Sequence, residues 1–88
     1  MQSADLVLKN PLGLHTRVCS QLVECASRYV STIRLSYQGK SANMKRIFDL
    51  MSLGAASGAS VLLEVEGVDE SAAFEAIQAL FLAGFGEI

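Results

Sequence analysis

The sequence predicts an α+β fold, an open-faced β-sandwich in the order βαββαβα: one four-stranded antiparallel sheet with three helices on one face. Three observations carry that expectation. Two-residue alternation appears in Ala4–Lys9, Thr32–Tyr37 and Ser60–Glu66. Helical spacing of apolar residues appears between them, and Gln38-Gly39 makes a two-residue turn that folds one strand back on its neighbour. Helices mixed with antiparallel strands in this way cover a single sheet from one side.

Each element follows in order. Ala4, Leu6 and Leu8 alternate with Asp5, Val7 and Lys9, a first strand that Asn10-Pro11-Leu12-Gly13 should stop, because Asn before Pro is held extended and Gly allows a left-handed step. Val18, Leu22, Val23, Ala26, Tyr29 and Val30 recur at helical spacing, so a helix is expected from about Thr16 to Tyr29. Ile33, Leu35 and Tyr37 share one face of the second strand. Lys40 to Met44 returns as a weak third strand at an edge. Ile47, Leu50 and Met51 then set a helix of about two turns between Lys45 and Leu53, closed by Gly54. After the small-residue loop Ala55-Ala56-Ser57-Gly58, Val61, Leu63 and Val65 line the buried face of the fourth strand. Asp69 is expected to cap a last helix and Glu70 to suit its positive end; Ala73, Phe74, Ile77, Leu80 and Phe81 form its buried face, and Gly84 ends it.

The 88 residues make one domain, 1–88, with 51% hydrophobic residues to build a single core. Charged residues are 18% and the formal net charge is -2, which argues against disorder and against a broad grip on nucleic acid. No basic segment followed by an apolar core opens the chain, and no apolar run approaches a membrane span, so a cytoplasmic protein without membrane insertion is expected. Cys19 and Cys25 lie roughly 240° apart around one helix at ~100° per residue, and are read as packed free thiols.

The chemistry centres on Gly13-Leu14-His15-Thr16-Arg17, which places the only histidine where a loop becomes a helix. A neutral imidazole is a nucleophile. If it takes a phosphoryl group, the amides of Thr16 and Arg17 at the helix start and the forked guanidinium of Arg17 can hold the added charge. By position alone, a lone histidine at a helix start is more often a surface cap or turn residue.

The segment Gly13-Leu14-His15-Thr16-Arg17 resembles the active-site signature of HPr, the histidine phosphocarrier of the bacterial phosphoenolpyruvate-dependent phosphotransferase system. Lys45-Arg46-Ile47-Phe48-Asp49-Leu50-Met51-Ser52-Leu53-Gly54 is similar to that family's second-helix signature, and Ser57-Gly58 and Glu66-Gly67-Val68-Asp69-Glu70 also fit. The resemblance implies a stoichiometric carrier, not an enzyme, with no cofactor or metal. It implies that His15 accepts phosphate at Nδ1 from enzyme I and passes it to an EIIA protein, with Arg17 binding the phosphate. It also implies an exposed docking patch of Ile47, Phe48 and Met51, rimmed by Lys45 and Arg46, and a monomer is expected. The same fold could instead dock a target protein with phosphorylation tuning its affinity.

Two departures from the pattern stand out. Val18 occupies a position where proline is common, which adds an amide to the first turn. Arg46 stands where many members of the Gram-positive type carry a regulatory serine, so regulation there is not expected, and Ser41 and Ser52 are read as turn and helix-end residues. The ending Ala79-Leu80-Phe81-Leu82-Ala83-Gly84-Phe85-Gly86 is similar to the nitrogen-branch form of the carrier.

Overall fold

The computed structural model describes residues 1–88. Strands β1 (Gln2–Val7), β2 (Thr32–Tyr37), β3 (Lys40–Asn43) and β4 (Ser60–Glu66) form one sheet in the order β1-β4-β2-β3, every pair antiparallel. Helices α1 (Thr16–Ala26), α2 (Ile47–Met51) and α3 (Glu70–Leu82) supply the helical layer, and a single 3-10 turn follows at Gly84–Gly86. The expected order βαββαβα is therefore the observed one.

Alternation builds the core directly. Leu6 pairs with Val61, Leu63 lies between Ala4 and Leu35, and Val65 faces Ile33, so every second residue of neighbouring strands meets on one face. Leu35 also faces Ala42 of β3. These residues join Val18 and Leu22 of α1, Leu50 of α2 and Ala73, Ile77 and Phe81 of α3 in one cluster. The opposite face carries Arg34 against Glu64 and Asn43, a polar surface open to water. The Gln38-Gly39 turn has positive φ at both residues, 48° and 80°, which matches the twist of a two-residue hairpin.

Three expectations shift. Helix α1 ends at Ala26, because Arg28 and Tyr29 bond back to Cys25 and Ala26 in tighter three-residue turns. Helix α2 is five residues long instead of two turns, since Arg46 is extended and Leu53 and Gly54 already bond in turns. Asp69 does not cap α3 with its side chain. Its carboxylate accepts the amides of Val30 and Ser31, each at 3.0 Å, and the Ser31 hydroxyl. It thereby ties the start of α3 to the chain entering β2. Those bonds hold its carboxyl below the ordinary range, the Ser31 hydroxyl contributing most. Glu70 takes over at the helix start, accepting the Gly67 amide and pairing with the N-terminal amine.

The loop that carries the histidine is fixed by close backbone packing. Gly13 has φ of 62°, and a Cβ there would lie 2.6 Å from the Ala55 carbonyl oxygen. Next to it, the Leu14 amide donates to that same carbonyl at 3.0 Å. Cys19 and Cys25 are buried free thiols, as read from the sequence, and burial pushes both upward.

Two outcomes are expected. Gly13→Ala should lower stability by about 2–4 kcal/mol, from left-handed strain plus the clash with Ala55, read as a lower denaturant midpoint at unchanged slope. Asp69→Asn bears on acid stability. A carboxyl depressed in the folded state stabilises it above the unfolded pKa and loses that effect as pH falls through the folded value. Acid unfolding of the wild type should thus steepen below about pH 4, and Asp69→Asn should flatten that part of the profile while lowering stability at neutral pH.

Candidate functional site

His15 is the N-cap residue of α1, with extended backbone (φ -91°, ψ 175°), and its carbonyl accepts the Cys19 amide as the first bond of the helix. Its side chain makes no cap bond with the helix. The amides of Thr16, Arg17 and Val18 donate to no acceptor in the chain. They form the positive end of an 11-residue helix. Val18 buries its side chain completely in the core while its amide, absent in a proline, joins that open set.

Arg17 is exposed and enters no ion pair; the chain's three pairs are Met1 with Glu70, His15 with Glu87 and Arg28 with Glu24. Its guanidinium is therefore available to an incoming anion and lies near enough to Glu87 to favour that residue's charged form.

Sequence reasoning did not identify Glu87. The carboxylate meets His15 Nε2 at 2.8 and 3.0 Å, and its Oε1 also accepts Asn10 Nδ2 at 3.1 Å. Asn10 is fully buried and gives the same Nδ2 group to the Gly13 carbonyl at 2.7 Å. Glu87 is held below the ordinary carboxylate range, first by the hydrogen bond with His15, then by Asn10 and by the charges of His15 and Arg17. The pair spans 72 positions of sequence. The one local sign was a carboxylate directly after Gly-Phe-Gly at the chain end.

The second motif divides. Phe48 is 80% exposed and Met51 38% exposed, three residues apart on one face of α2. Ile47 is half-buried against the core, beside fully buried Leu50, so it supports the patch more than it presents surface. Lys45 is not a free rim charge: its Nζ donates to the Tyr29 carbonyl at 2.7 Å, closing the turn after α1. Arg46, exposed at the N-cap of α2, remains as the cation of the rim. Helix α2 packs against α1 and leads into Ala55, whose carbonyl binds the Leu14 amide of the His15 loop.

Comparison with known proteins gives the family. The family model described as the PTS HPr component phosphorylation site matches residues 2–83. The phosphocarrier protein HPr of Cupriavidus necator is 38% identical over 87 residues, 99% of this chain and 98% of its own length. That of Xylella fastidiosa is 36% identical over the same share of each. Among solved structures, an HPr from Thermoanaerobacter tengcongensis superposes with a TM-score of 0.96 at 38% identity, covering 100% of this chain and 99% of that one. No helix is long and apolar enough to cross a membrane. With a histidine at an open helix start, an unpaired arginine beside it and a family match along nearly the whole chain, this protein belongs to the HPr family, the phosphocarriers of the phosphotransferase system that relay a phosphoryl group through a histidine.

Proposed function

We propose that His15 is the phosphoryl acceptor and that Arg17, with the amides of Thr16 and Arg17, holds the transferred group. The observation that carries this is the open helix start: the chain's only histidine sits at the N-cap of α1, beside amides without acceptors and a guanidinium without a partner. A phosphoryl group on the ring would place anionic oxygens where donors are already oriented, so little reorganisation is needed. The family's partners are enzyme I and EIIA proteins. In this reading, enzyme I donates to His15 and an EIIA accepts from it, and the carrier acts as a cytoplasmic monomer of one domain.

Docking uses the patch beside the site. Phe48 is the anchor, because an exposed ring supplies large contact area at small entropic cost, with Met51 beside it and Arg46 at the rim. Ile47 and Lys45 contribute by holding α2 in place. Arg46 cannot accept a phosphate as serine does, so control of docking by phosphorylation at that position is absent from this scheme.

His15→Ala should abolish acid-labile phosphoryl incorporation from phosphoenolpyruvate and enzyme I, read by mass spectrometry of the intact protein; incorporation that persists would remove His15 from its role. Phe48→Ala should weaken the complex with enzyme I about 10-fold, equivalent to about 1.4 kcal/mol, with little change in melting temperature. A regulatory docking module, whose affinity phosphorylation of His15 merely tunes, gives a different pattern, in which partner binding persists in His15→Ala but is lost in Phe48→Ala.

A further inference from the structure

We propose that Glu87, braced by Asn10, is a positioning residue for phosphoryl transfer: it holds the His15 ring with Nε2 protonated and so presents Nδ1 as the nucleophile. This rests on His15 being the acceptor.

A carboxylate that is ionised can only accept hydrogen bonds. Both Glu87 oxygens approach His15 Nε2, at 3.0 and 2.8 Å, so Nε2 carries a hydrogen and, in the neutral ring, Nδ1 carries the lone pair. Without such a partner the two neutral forms of an imidazole interchange freely, and ring rotation exchanges which nitrogen faces the helix start. The contact therefore selects a tautomer and a rotamer together, as carboxylates do for histidines that must present one nitrogen.

Asn10 makes the arrangement firm. Its Nδ2 group donates to two acceptors, Gly13 O and Glu87 Oε1, while its Oδ1 is buried with no partner. Turning the amide over would set Oδ1 against two oxygens and lose both bonds, so the orientation is determined despite the unpaired atom. An unpaired buried acceptor is destabilising, and the fold retains it at the residue that joins the histidine loop to Glu87. The chain end is also held: Phe85, at φ of 57°, is buried edge-on to Phe81 with ring centroids 5.0 Å apart, and its carbonyl accepts Gln21 Nε2 at 3.2 Å. Phe85 leaves ordinary backbone space, and the chain then turns back so that Glu87 reaches the ring.

The transfer balances on this geometry. The Nδ1 lone pair forms the new bond to phosphorus, the bond from phosphorus to the donor's leaving atom breaks, and that electron pair departs with the donor. Nε2 keeps its proton. The ring becomes positive, opposite the Glu87 carboxylate, and onward transfer returns the P–Nδ1 electron pair to the ring with no proton moved at Nε2.

The test uses the full chain with nitrogen-15 in the imidazole. In the wild type the ring nitrogens should show a protonated Nε2 and an unprotonated Nδ1; in Glu87→Ala the signals should move toward a mixture of both tautomers. Phosphoryl uptake from phosphorylated enzyme I should slow about 10-fold in Glu87→Ala. Glu87→Gln, which keeps an acceptor without its charge, should recover the tautomer and part of the rate, and Asn10→Ala should slow uptake less than Glu87→Ala. Unchanged tautomer and uptake in a folded Glu87→Ala protein would overturn the proposal, as would a mixed tautomer in the wild type. Failure of the underlying reading looks different: the wild type would take up no phosphoryl group, or His15→Ala would take it up as well.

Discussion

The hydrogen bond from the Leu14 amide to the Ala55 carbonyl is the constraint on which the site depends. It joins two loops that no strand connects, the one before α1 and the one after α2, and it forms only because Gly13 presents no Cβ to the Ala55–Ala56 backbone. Leu14 is buried beside it, so the histidine next in sequence leaves a fixed point on the core. The same joint sets the patch on α2 relative to the ring. The proposed relay, in which two partners meet one histidine, asks for that spacing to be rigid. Two short loops locked through the main chain provide this more firmly than side-chain contacts, whose rotamers remain free to change.

Local patterning made most of the fold legible. Alternation in β1, β2 and β4 reports directly on which residues face the helices, because one face is buried and a one-residue slip would expose the whole core set. The boundaries that moved are those decided by competing bonds of similar strength. Val30 has the spacing to extend α1, yet its amide is taken by Asp69 from across the molecule, and the chain turns toward β2 instead. Asp69 has the residue type and place for a cap, and it could satisfy an α3 amide or three donors around Ser31. The second choice links two elements, a gain that no window of sequence around Asp69 contains.

The site divides along the same line. His15, Thr16 and Arg17 were legible because their chemistry is local: a loop ends, a helix begins, and the open amides follow from helix geometry alone. The division of the second motif was harder to see, since Ile47, Phe48 and Met51 are all apolar at one spacing and only packing against the core separates the half-buried Ile47 from exposed Phe48. Lys45 looked like a free cation until the turn after α1 supplied a carbonyl for it. Glu87 lay furthest from reach, because nothing in Gly-Phe-Gly-Glu says which part of the fold the chain end will touch.

Charge explains why an anion can stand so close to the proposed phosphoryl acceptor. Glu87 engages the ring at Nε2, the nitrogen across the imidazole from Nδ1, and shares its charge with Asn10. Arg17 lies between the demands of both groups, near enough to Glu87 to favour its ionisation yet in no ion pair with it. A bidentate pair between Arg17 and Glu87 would have used the guanidinium before any phosphate arrived, and would have left His15 without its acceptor. By giving the carboxylate to histidine and asparagine, the fold leaves its guanidinium and three helix-start amides without partners. Val18 fits this division: its side chain fills the core as a proline ring could, and its amide adds one donor to the open set.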